Sequence, residues 1–80
     1  MSLVIRATPM PTKKESGYFF TAITADNREK IFHISDEAVR VKFANDVGKE
    51  VYLVTTNSIN VTDVLNEKEF LDYSVNKLKS

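Results

Sequence analysis

Ser35-Asp36-Glu37-Ala38-Val39-Arg40-Val41-Lys42-Phe43-Ala44-Asn45-Asp46-Val47-Gly48 is the stretch on which the fold turns, because it reads in two ways. Val39, Val41 and Phe43 alternate as a strand does, whereas Val39, Phe43 and Val47 with Ala44 fall on one face of a helix. The ends of the stretch favour the helix. Ser35 is a residue type that caps an N-terminus, Asp36 and Glu37 follow where the helix dipole favours carboxylates, and Gly48 supplies a C-terminal stop. Read this way, the stretch separates the strands before it from those after it.

Working towards the N-terminus, residues 30–35 form a strand that returns from residues 18–25, a segment rich in aromatic and β-branched side chains. Asp26-Asn27 between them tolerates the positive φ of a tight hairpin turn. Alternation puts Phe19, Thr21 and Ile23 on one face of the first strand and Tyr18, Phe20, Ala22 and Thr24 on the other, so both faces carry apolar groups. Residues 9–17 lack any apolar period and read as a loop. Before them, residues 3–8 form a strand that must stop by Pro9, since Pro9 and Pro11 have no N–H for a ladder. Towards the C-terminus, Val51 and Leu53 alternate with Tyr52 and Val54, and Thr56-Asn57-Ser58 turns into a further strand containing Ile59 and Val61. Asn66 with Glu69 has the spacing of a capping box. Leu71, Val75 and Leu78, flanked by Phe70, then make the apolar stripe of an amphipathic helix with Lys77 and Lys79 at its end.

The order strand, strand, strand, helix, strand, strand, helix predicts a mainly β protein with two helices. The expected architecture is a five-stranded OB-like Greek-key barrel with a helix between strands 3 and 4, plus the C-terminal amphipathic helix. All of residues 1–80 form a single domain in this reading, with the barrel over 1–65 and the helix over 66–80. Two stretches also resemble the cold-shock domain family: Gly17-Tyr18-Phe19-Phe20, and Lys30-Ile31-Phe32-His33-Ile34-Ser35-Asp36, with a looser match at Val47-Gly48-Lys49-Glu50-Val51. The resemblance covers roughly residues 13 to 62. It implies single-stranded nucleic-acid binding, with Tyr18, Phe20, Ile31, His33 and Ile34 stacking on bases and with Lys13 and Lys14 near the phosphates. The chain departs from that family at Phe19, which stands where a second glycine is expected, and at Ile31 and Ile34, which replace aromatics.

Composition bounds these readings. Eighty residues make one domain, and 42% apolar with 28% charged residues is the composition of a globular chain. Eleven basic residues balance eleven acidic ones, so no global field draws the chain to nucleic acid or membrane. Phosphate attraction must be local. Arg6, Lys13, Lys14, Arg28 and Lys30 outnumber Glu15, Asp26 and Glu29 in the N-terminal part. The absence of Cys excludes disulfides and thiolate zinc sites, and a single His cannot build a histidine cluster. The longest apolar run, Val51 to Val54, is far short of the roughly 20 residues of a spanning helix, and no signal-peptide core opens the chain. A cytoplasmic location and no membrane partner are expected.

Each candidate residue has a plainer reading. Tyr18 and Phe20 can fill the core, as large apolar side chains usually do. His33 can be a hydrogen-bonded edge histidine, and Lys13-Lys14 a solvated loop tip. Asp36-Glu37 and Glu67 with Glu69 suit first helical turns, so neither pair needs metal or acid–base chemistry to explain it. No nucleophile–base pair, metal spacing or glycine-rich phosphate loop is present, so catalytic residues, cofactors and metals are all expected to be none. The expected function is a small OB-type module binding single-stranded DNA or RNA through Lys13, Lys14, Tyr18, Phe20, Lys30, Ile31, His33 and Ile34. The alternative is a protein-interaction or accessory subunit, of a phage-like kind or a homodimer, using the aromatic face and Phe70, Leu71, Val75 and Leu78.

Overall fold

The computed structural model describes residues 2–11 and 18–79, and the side chains of residues 3–11 and 18–76. The chain runs through β1 (Ser2–Pro9), β2 (Phe19–Thr24), β3 (Glu29–His33), α1 (Glu37–Asn45), β4 (Val51–Thr56), β5 (Asn60–Leu65) and α2 (Glu67–Lys79). Hydrogen-bonded neighbours follow the order β1-β2-β3-β5-β4 and return to β1, so the strands close into a ring. β1 serves both neighbours. Ser2 to Ala7 pair with β4, and Ala7 to Pro9 pair with β2. All pairings are antiparallel except that of β3 with β5, which is parallel and consists of one bridge, His33 with Asn60.

Because side chains alternate along a strand, β1 to β4 send every second residue inward, while a register shift opposite Val54 and Thr55 lets β5 turn in Val61 and Val64, three residues apart. Ala7, Phe20, Ala22, Phe32, Val51, Leu53, Val61 and Val64 thereby meet in one buried cluster with Ile34. α1 contributes to the same cluster. It sends Val39 and Phe43 into it while Val41 stays exposed, as the period of 3.6 requires and alternation would not. Phe43 is wholly buried and meets Phe20 edge-on, with ring centroids 5.3 Å apart. Burying a phenylalanine this completely stabilises the fold by roughly 1.5–3 kcal/mol, so α1 is fastened by its apolar side.

The N-cap of α1 is Asp36 rather than Ser35. The Asp36 carboxylate accepts from the N–H groups of Ala38 at 2.8 Å and Val39 at 3.3 Å, satisfying two helix-end donors with a charged acceptor. Ser35 instead offers its carbonyl to Arg40 Nη1 at 3.1 Å. The helix ends at Asn45, which leaves Val47 beyond it. Gly48 then takes φ +84° and donates its N–H to the Pro9 carbonyl. That left-handed backbone is what requires glycine there.

α2 opens with a reciprocal capping box: Asn66 N–H donates to Glu69 Oε1 at 3.1 Å, and Glu69 N–H donates to Asn66 Oδ1 at 2.8 Å. The helix packs on β4 and β5. Phe70 lies flat on Tyr52, with centroids 4.0 Å apart and an 8° angle between planes. Val54, on the Tyr52 side of β4, and Leu65, opposite Tyr52, are buried apart from the central cluster. Lys42 of α1 adds a polar tie, 3.0 Å from Asp63 of β5 and 3.5 Å from Glu69 of α2. Phe70, expected on a partner surface, is therefore spent on the chain's own β4. Leu71 and Val75 do remain exposed. The side chain of Leu78 lies outside the described residues. Among the described residues, no helix is long and apolar enough to cross a membrane.

Candidate functional site

The register of the β2–β3 hairpin decides which rings face out. A two-residue turn at Asp26-Asn27 would set Phe20 opposite His33. The loop instead contains Ala25, Asp26 and Asn27, closed by the N–H of Thr24 to the Arg28 carbonyl at 2.9 Å and by the N–H of Asn27 to the Thr24 carbonyl at 2.8 Å. Asn27 takes φ +64°, the left-handed residue that completes a three-residue hairpin loop. The Thr24 hydroxyl bonds the Asp26 carboxylate and holds its pKa below the usual value, ahead of smaller contributions from the backbone and Arg28. The extra loop residue shifts the pairing by one, which exchanges the two faces of the partner strand. Phe19 now stands opposite His33 and Phe20 opposite Phe32.

This register corrects several expectations. Phe20 is 7% exposed and Ile34 is fully buried, so both belong to the core and offer no face to a ligand. Lys30 pairs with Ala22 on the Phe32 side, and its ammonium lies 5.6 Å from the Phe32 ring rather than beside Ile31 and His33. Lys13 and Lys14 lie outside the described residues.

The outer face instead gathers Phe19, Ile31 and His33, joined by Tyr18. Tyr18, Phe19, Ile31 and Ile59 are 54%, 52%, 60% and 48% exposed. The Phe19 ring meets His33 edge-on at 5.1 Å, and the Tyr18 ring is tilted against His33 at 5.9 Å. Tyr18 precedes the first residue of β2 and so escapes its alternation, while its carbonyl accepts the N–H of Ile34 at 2.8 Å. Ile59, at the end of the β4–β5 turn, adjoins His33 through its backbone, its carbonyl accepting the His33 N–H at 2.9 Å. That turn is strained. Asn57 and Ser58 both have positive φ, 56° and 62°, which Asn tolerates and Ser does not favour.

Arg40 of α1 borders the cluster. Its guanidinium carbon lies 4.9 Å from the centroid of the Tyr18 ring, and its Nη1 is anchored on Ser35. Cation and ring attract one another in this geometry. Chemically, the surface offers aromatic and aliphatic area, one imidazole and one guanidinium, arranged on paired strands. No group of metal-ligating side chains occurs among the described residues.

Sequence reasoning missed Phe19 and Arg40. A signal for the first was present: Phe20, Ala22, Phe32 and Ile34 form a uniformly apolar set fit for an interior, whereas Phe19 and Thr21 match Ile31 and His33 as a mixed set. Arg40 carried none, because only the packing of α1 brings it to Tyr18. Searches against protein-family models, curated proteins and solved structures find no match to this chain.

Proposed function

We propose that this chain is an OB-type, non-catalytic module that binds single-stranded nucleic acid across the outer face of β2 and β3. The observation that carries the reading is the exposed cluster of Tyr18, Phe19 and His33 on adjoining strands, bordered by Ile31. Flat apolar faces held at fixed positions suit stacking on unpaired bases, each contact being worth about 1–3 kcal/mol without sequence readout. The closed strand order and the position of α1 between β3 and β4 are consistent with an OB-type barrel, whose strands 2 and 3 and loops 1–2 and 4–5 carry such ligands. Here the β4–β5 turn adjoins that face through the bond between the His33 N–H and the Ile59 carbonyl. The loop between β1 and β2 contains Lys13 and Lys14 in its sequence, which supplies cationic residues close to the cluster along the chain.

Fluorescence anisotropy with labelled single-stranded DNA and RNA of about twelve nucleotides tests this, a length within the range one such fold occupies. Wild type is expected to bind at micromolar concentration with an affinity that falls as salt rises. Joint replacement Tyr18→Ala, Phe19→Ala is expected to weaken binding by about a hundredfold. Wild type showing no salt-dependent binding overturns the proposal. A second reading, a protein-interaction role, draws on the exposed Leu71 and Val75 of α2. Sedimentation of the pure protein as a monomer at all concentrations would count against its homodimeric form.

A further inference from the structure

Resting on the nucleic-acid reading, the inference concerns where the backbone of such a strand is held. The chain has three arginines, and the structure treats them differently. Arg6 Nε lies 3.6 Å from Glu50, and Arg28 Nε lies 3.8 Å from Asp26, so both have carboxylate partners. Arg40 has none among the described residues. Glu37, three residues before it in α1, forms no ion pair with it, and Asp36 is occupied with capping the helix at Ala38 and Val39. Arg40 spends one N–H on the Ser35 carbonyl and rests over Tyr18, which fixes the guanidinium while leaving other donors of the fork unused by described residues.

We propose that Arg40 is an anion-contacting residue of this surface, meeting a backbone phosphate of a single strand whose bases stack on Phe19, His33 and the free side of Tyr18. Three observations converge on it. The cation comes from α1 and lies 4.9 Å from the centroid of Tyr18, one of the exposed rings, within reach of the backbone of a strand stacked there. Its orientation is set beforehand by two contacts, so binding orders little that is not already ordered. A planar fork also matches phosphate geometry in a way that an ammonium does not. The neutral balance of the whole chain ceases to be an obstacle, because the attraction comes from a positioned charge instead of a general field.

Salt-dependent anisotropy with oligo(dT) and oligo(U) of about twelve nucleotides distinguishes this from a purely structural role. Arg40→Ala is expected to weaken binding about tenfold and to lower the slope of log affinity against log salt by about 1. Arg40→Lys is expected to recover the slope and only part of the affinity. Thermal unfolding of both variants, close to wild type, establishes that the fold is intact. Unchanged affinity and slope in Arg40→Ala overturns the inference while wild-type binding leaves the broader reading standing. Weakened binding with an unchanged slope also overturns it, since Arg40 would then only be positioning Tyr18. Absence of wild-type binding removes both.

Discussion

On the outer face of β4 and β5, Tyr52 lies flat against Phe70 and α2 closes over Val54 and Leu65, whereas on the outer face of β2 and β3 the rings of Tyr18 and Phe19 stay in solvent. Both faces belong to one small ring of strands and both carry aromatic groups. The chain devotes a thirteen-residue helix to covering one of them. The other is left open, and α1 lends it Arg40. The contrast teaches that exposure at β2–β3 is not simply what remains when a small domain runs out of interior. A cover was available to this fold and was used elsewhere.

Adjacent residues give the sharpest way to break that comparison. Phe20→Ala is expected to lower stability by about 3–5 kcal/mol in urea denaturation, as removal of a buried aromatic usually does. Phe19→Ala, one residue away on the open face, is expected to change it by no more than about 0.5 kcal/mol. Equal losses would place both rings in the core and erase the distinction. On the covered face, Phe70→Ala should fall between them, at about 1–3 kcal/mol, since it removes a stacked, half-buried ring and loosens α2 from Tyr52. Ser58→Gly relieves the left-handed strain beside the open face and is expected to gain about 1 kcal/mol in the same assay.

A small and pH-dependent effect belongs to the tie between α1, β5 and α2. Burial alone would lower the Lys42 pKa, but the hydrogen bond and charge of Asp63, with Glu69 behind them, hold the ammonium above its ordinary 10.5. A cation whose folded pKa is raised contributes stability fully below its unfolded pKa and loses it as pH rises through the folded one. Lys42→Met is therefore expected to be less stable than wild type at neutral pH by under about 1 kcal/mol, because the pair is part-exposed. The contribution from the ion pair should disappear above the raised pKa, in the strongly alkaline range. A difference that persists there unchanged would assign the effect to packing of the lysine stem.

Much of this division could be read from the chain and some could not. The helical reading of residues 37–45 rested on its ends and on the spacing of Val39 and Phe43, and local chemistry of that kind survives folding. The same holds for Asn66 with Glu69, whose capping box depends on neighbours three residues apart. The face assignment of Phe19 and Phe20 depended on the number of residues in the hairpin loop. Asp26-Asn27 suits a shorter turn as well as the one formed, and the choice is settled by which set of rings the interior accepts. The cap expected at Ser35 forms one residue later, at Asp36, whose carboxylate accepts from two helix-end N–H groups. Contacts between distant segments, such as Arg40 over Tyr18, have no local signature.

One detail of the ring carries a mechanical consequence. β3 and β5 meet only at His33 and Asn60, and His33 is also at the centre of the exposed rings. The seam of the cylinder therefore runs beneath the surface offered to a ligand. A ligand spanning Phe19, His33 and Asn60, which the register sets beside His33, would grip the seam from both sides like a stitch. By mass action, occupancy would then raise the melting temperature and slow amide exchange first at His33, before any gain is felt in the distant strands.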